Sequence, residues 1–147
     1  MSFSWSAKLL LLVHSGLGVV LLGAIGHFAI LSAGALRGRP IAARFTSLYA
    51  RWTFWLFFAC VSTGALAYPS FRSEVRPFFD AKLPWATGLF EVKEHFGALG
   101  LFASLAIYVA CRDEKPERWV HALVLIVAAL TLYLGGVGSL LVSIKST

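Results

Sequence analysis

The sequence predicts an all-α fold: an integral-membrane four-helix bundle. Three observations carry that reading. Of 147 residues, 59% are hydrophobic and only 14% are charged, whereas a soluble domain carries about a quarter charged residues. The charges are also segregated. Charge-free runs cover Leu9–Leu36, Trp52–Phe71, His95–Cys111 and Trp119–Ile144, with lengths of 28, 20, 17 and 26 residues. A hydrocarbon core of ~30 Å takes roughly 20 apolar helical residues to cross. Finally, none of the runs alternates as a barrel strand does, and only helices and closed barrels satisfy their backbone in lipid. The chain therefore reads as a single transmembrane domain over 1–147, with helices at about 7–36, 52–68, 94–111 and 119–144.

The first span is about twice as long as the apolar region of a cleaved signal peptide, so it is read as a retained helix. The link after it, residues 37–51, holds Arg37, Arg39, Arg44 and Arg51 and no acid. The second span opens on Tyr49, Trp52, Phe54 and Trp55, which fits an interfacial aromatic belt. The second link is the longest, about 69–94, with Pro69, Pro77 and Pro84 and four basic and four acidic residues. Its stretch FRSEVRPFF reads as an amphipathic segment lying on the membrane surface. A short link, RDEKPER at 112–118, joins the third and fourth spans.

The net charge of +6 sits in the links, where it reports topology and gives no case for nucleic acid. The first link sets the orientation: links one and three in the cytoplasm, both termini on the outer, periplasmic side of a bacterial inner membrane. Cys60 and Cys111 fall mid-span and at a span end, too different in depth for a disulfide. There is no CxxC, no haem-attachment CxxCH and no paired thiol set for zinc or iron–sulfur. Copper(I) favours Met and Cys, and the only Met is the first residue.

The chemistry lies in four histidines: His14, His27, His95 and His121. All fall within or at the edge of a span, where ionisable groups are costly and tend to be functional. At ~1.5 Å per residue, His14 and His27 lie about 20 Å apart along the first span. The third span runs parallel to the first and begins at His95. The fourth runs back and begins near His121. The four sort by depth into two layers, His14 with His95 and His27 with His121. Two imidazoles per layer on different helices are the axial set of a six-coordinate b-type haem, so two haem b are expected, or one. Neutral imidazole is a good metal ligand, and the protein tunes such a haem through ligands, burial and charge. Thirteen residues also leave His14 and His27 roughly 140° apart around the helix, so they face different partners.

Gly16, Gly18, Gly23, Gly26, Gly97 and Gly100 would let a flat macrocycle, or simply a neighbouring helix, approach closely. Arg72 and Arg76 are candidate propionate partners for the outer haem. Arg37, Arg39, Arg44 or Arg51 could serve the inner one, since a guanidinium matches a carboxylate. Glu91 or Glu94, beside His95, could support an imidazole or carry a proton at a quinone pocket. Trp52, Trp55, Phe57 and Phe58 could border a quinone or simply face lipid.

Four spans with these histidines in two layers resemble the small four-helix di-haem membrane cytochromes b, both the dehydrogenase anchors and the broad b561-like group. In many of those proteins the ligand-bearing helices each serve both haems; here only the first span does. The resemblance implies electron transfer across the bilayer, between a quinone or redox partner and other membrane or peripheral subunits of a larger respiratory complex. Two other classes compete: a cofactor-free structural subunit, and a (bacterio)chlorophyll-binding photosynthetic subunit.

Overall fold

The computed structural model describes residues 5–112 and 116–146, all of it helix and connection. The element order is α1 (Trp5–Leu36), α2 (Ala43–Glu74), α3 (Arg76–Lys82), α4 (Pro84–Ala110) and α5 (Arg118–Ser146). Four helices, α1, α2, α4 and α5, are long and apolar enough to cross a membrane. Residues 113–115, in the middle of the expected third link, lie outside the described residues.

The helices overrun the expected spans. The second begins at Ala43 rather than Trp52 and continues to Glu74; the third begins at Pro84 rather than Glu94. Charge marks where a helix leaves hydrocarbon, not where it stops. Arginine, lysine and glutamate are good helix formers, and a helix still satisfies its own backbone in water. The three prolines did not hold the second link open. Pro77 and Pro84 stand in the first turns of α3 and α4, where the missing N–H costs nothing. Pro69 lies inside α2. The segment FRSEVRPFF joins two helices. It forms the end of α2 and the start of α3, whose Phe79 is buried between Val75, Ala86, Val137 and Leu141.

The first link turns on Gly38. At φ +85° it takes the left-handed conformation open to glycine. Its N–H donates to Ala35 O and that of Arg39 to Gly34 O, both at 3.0 Å, the Schellman closure of a helix.

The four long helices form a ring in which α1 touches α2, α2 touches α4, α4 touches α5 and α5 touches α1. The pair α1 and α4 stands on a diagonal without contact. Antiparallel neighbours of this kind repeat their inward positions every seven residues. On α1 the buried Ala7, Leu21 and Phe28 make one stripe, and Ile25 and Ser32 a second. On α4 the stripes are Ala86, Gly100 and Ile107, and Ser104 followed by the capping Cys111. On α2 they are Thr46, Thr53 and Ala67, and Ala50 with Phe57.

The apolar core is split. One cluster, with Leu21, Ile25, Phe28, Ala50, Phe57, Ile107, Val120, Val124 and Val127, fills the half toward the α1–α2 loop. The other, around Phe79, closes the end that holds the termini.

Candidate functional site

Between the two clusters the inward stripes change character. His14 occupies the stripe position between Ala7 and Leu21. Cys60 stands between Thr53 and Ala67, with Gly64 one stripe over beyond Phe57. Lys93 stands between Ala86 and Gly100, and Gly97 one turn on. Gly138 faces them from α5. On α1, α2 and α4 a polar or glycyl residue thus replaces an apolar inward one, and the Lys93 side chain reaches Gly138 of α5 beside the end cluster.

The His14 ring leans on α2. Its Nδ1–H donates to the Cys60 carbonyl at 2.9 Å, with Thr63 Oγ1 at 3.4 Å and Cys60 Sγ at 3.7 Å. A Cβ at position 64 would stand 3.1 Å from the imidazole Cε1, so Gly64 is what lets the ring lie there. Lys93 is close enough to act electrostatically on both His14 and Cys60. Its Cε passes 3.6 Å from where a Cβ of residue 138 would be, and its ammonium sits 5.5 Å from the centre of the Phe90 ring. At Gly18 and Gly97, both half-buried, no neighbouring atom comes within 4 Å of a Cβ position.

The other three histidines lie elsewhere. His121 is buried in the α1–α5 seam, its Nδ1 3.2 Å from Ser32 Oγ. His27 is exposed, its Nδ1 hydrogen-bonded to the Tyr49 hydroxyl of α2. His95 is exposed, and its Nδ1–H donates to Glu91 O of its own helix at 2.7 Å. Among the described residues every histidine has Nδ1 tied to an oxygen and no hydrogen bond at Nε2. A neutral imidazole so tethered keeps a lone pair at Nε2, which is what a metal ligand requires and also what any singly bonded histidine has.

The expected pairs do not face one another. On α4 it is Lys93 that turns inward; His95, two residues on, is rotated about 160° from it. His27 lies five residues, about 7.5 Å, from the Ser32 level of His121 and about 140° around α1 from it. Of the candidate glycines, Gly18 lies on an inward stripe, while Gly23 is exposed on the outside. Arg72, Arg37 and Arg51 are exposed. Arg76 is engaged by its own chain, 3.4 Å from Asp80 and 3.0 Å from Glu91, so Glu91 is likewise occupied. Glu94 is exposed.

The residues around His14 fit a b-type haem. They offer an imidazole with a tethered Nδ1, a cation for a carboxylate, and four inward glycines with open space at two of them. The level of His121 and His27 does not fit a second one. There the interior is filled by the larger apolar cluster, and one of the two imidazoles faces out. Among the described residues no three His, Cys, Asp or Glu side chains gather as a metal-binding group.

Sequence reasoning missed Lys93 as an inward residue, and Cys60 and Thr63 as partners of His14. The signal was present: 86, 93, 100 and 107 are seven apart, as are 7, 14, 21 and 28. Comparison with known proteins adds no family to this geometry: no family model, curated protein or solved structure matches the chain.

Proposed function

We propose that this chain is an integral-membrane b-type cytochrome, relaying electrons between a quinone or redox partner and a partner subunit, with its haem at the His14 level. The observation that carries the reading is the inward His14 imidazole. Its Nδ1–H is committed to the Cys60 carbonyl, so the neutral ring presents a lone pair at Nε2. When bound, haem supplies a reversible one-electron iron couple. His14 would hold the iron through Nε2, with Gly64 giving its ring clearance, and Lys93 would offer positive charge for a propionate inside the bundle. Burial between two apolar clusters keeps water away. With no soluble domain in these residues, substrate chemistry belongs to a partner. The Arg-rich α1–α2 loop supports a reading with that loop in the cytoplasm of a bacterium and the termini in the periplasm.

The test is a dithionite-reduced minus oxidised spectrum of the purified protein, with pyridine haemochrome quantitation. The expected result is one haem b per chain, lost in His14→Ala and retained in His95→Ala and His27→Ala. Two haems per chain, the second lost in His121→Ala or His27→Ala, would restore the four-histidine arrangement. A colourless protein after haem supplementation would reject the cytochrome and leave the structural subunit; absorption farther to the red would indicate a chlorophyll-type pigment.

A further inference from the structure

The arginines at the α1–α2 end take no part in the site around His14. Arg37, Arg39, Arg44 and Arg51 are all exposed, and residues 37–51 hold no acid. Among the described residues the ion pairs belong to Arg76. Of these four arginines, Arg44 meets an aromatic ring, its guanidinium carbon 4.9 Å from the centre of Phe45. Their planar forks stay open to an anion from outside the chain.

Two of them stand at the end of a groove. Between α1 and α2 lies an open cleft of about 320 Å³, lined by Val20, Ala24, Leu48, Tyr49, Trp52 and Leu56. Val20, Leu48 and Trp52 are about half exposed, at 56%, 48% and 57%, so the cleft opens on the bilayer. No cation lines it; the arginines lie past its loop end, on the same two helix faces. On α1, Val20, Ala24, Leu31 and Gly34 fall within about 80° of one another. Arg39 packs on that face, its Cβ 3.9 Å from the Cβ position of residue 34. On α2, Phe45 falls within the arc of Leu48, Tyr49, Trp52 and Leu56, one turn nearer the loop, and it carries the Arg44 guanidinium. Each wall of the groove thus ends on an arginine.

Length and charge select the occupant. From Phe45 to Leu56 is about 16 Å along α2, the depth of one leaflet in a hydrocarbon core of ~30 Å. An acyl chain laid along Ala24, Trp52 and Leu56 would bring its headgroup phosphate to the level of Arg39 and Arg44. A guanidinium takes phosphate oxygens two at a time. A zwitterionic headgroup also carries an ammonium, and residues 37–51 offer it no carboxylate. A neutral lipid would leave the arginines unused, and a soluble phosphate would leave the groove unused.

We infer that the α1–α2 groove and the arginines at its loop end form a binding site for one anionic diacyl phospholipid, its phosphate on Arg39 and Arg44 and one acyl chain in the groove. The site rests neither on the haem nor on which side of the membrane the loop faces.

The experiment reconstitutes the whole chain in phosphatidylcholine vesicles. A rising fraction of the lipid is replaced by phosphatidylglycerol brominated on its acyl chains, with brominated phosphatidylcholine as the reference, and tryptophan fluorescence is followed. The share of the quenching that Trp52→Phe removes reports the groove. That share should favour phosphatidylglycerol about twentyfold. Arg39→Gln and Arg44→Gln should each lower the preference about fivefold, the worth of one basic residue at an anionic surface. Arg72→Gln, at the opposite end of α2, should leave it unchanged. Ala24→Phe, which fills the groove, should remove most of the preference while the far-ultraviolet helical signal persists; if that variant does not fold, the two arginine variants decide. Equal quenching by both lipids, or a preference indifferent to Arg39→Gln and Arg44→Gln, would overturn the site. So would a preference that folded Ala24→Phe retains in full, since lipid would then merely gather over a basic loop. Haem content plays no part in this readout, so failure of the cytochrome reading leaves the outcome unaffected.

Discussion

His14 and His27 are the same residue on the same helix and end in opposite surroundings. His14 falls on the stripe of Ala7, Leu21 and Phe28 and enters the interior, where α2 gives it a carbonyl at 2.9 Å. His27 precedes Phe28 by one residue, about 100° of rotation, and meets Tyr49 at the lipid-facing rim. On α4 the same contrast recurs between Lys93 and His95. Residue type announces that a group is chemically able; the seven-residue register decides whether it faces the bundle interior or the outside. Depth, used alone, groups residues that share a layer but not a face.

The largest effect that can break this contrast is loss of the haem itself. On the cytochrome reading, His14→Ala should abolish the haem spectrum and His27→Ala should leave it intact. If the two variants exchange phenotypes, the register argument fails, because the outward imidazole would then be the ligand.

Packing along the same stripes gives the next effect. A Cβ on residue 100 would run into the ring of Phe57, which is buried at 2% exposure and has no free end to swing aside. Gly100→Ala should therefore lower stability by about 1–3 kcal/mol, the usual range for overpacking, read as a fall in the thermal midpoint in detergent. An unchanged midpoint would mean that α2 and α4 are farther apart there than the stripes imply.

A smaller change isolates the His14 ring. Gly64→Ala brings a methyl 3.1 Å from Cε1, a contact that shifts the imidazole by a few tenths of an ångström. The expected cost is under about 1 kcal/mol, since the ring is only half-buried. The sharper readout is the haem spectrum, which should move with the ring even where the thermal midpoint does not. A spectrum identical to that of the parent would separate His14 from the iron.

Most of the fold was legible in the sequence, because charge-free runs of 17–28 residues leave few alternatives to membrane helices. Helix ends were not: Ala43 to Arg51 reads as a loop by charge and folds as helix, since a segment outside lipid is freed from hydropathy but not from helix propensity. The site was half legible. His14 and its depth were readable, as were the glycines. The outward turn of His95 was not readable, because a depth argument ignores rotation. Lys93 was passed over as a loop charge because α4 was begun at Glu94, one residue too late to include it. Cys60 acts through its backbone carbonyl, which no side-chain pattern can report.

The smallest expected effect tests the outward face of α1 itself. Gly23 is exposed, and no neighbouring atom lies within 4 Å of a Cβ position there, so Gly23→Ala adds a methyl to the lipid side. Alanine also restricts the unfolded chain and favours helix by up to about 1 kcal/mol over glycine. The thermal midpoint should stay level or rise slightly, and the haem content should not change. A loss of haem would mean that a macrocycle does approach this face, as the glycine pattern alone invites one to expect. A drop in stability with haem retained points instead to a second chain packed against α1 at Gly23, since a small residue that matters on a lipid-facing surface matters by letting another helix come close.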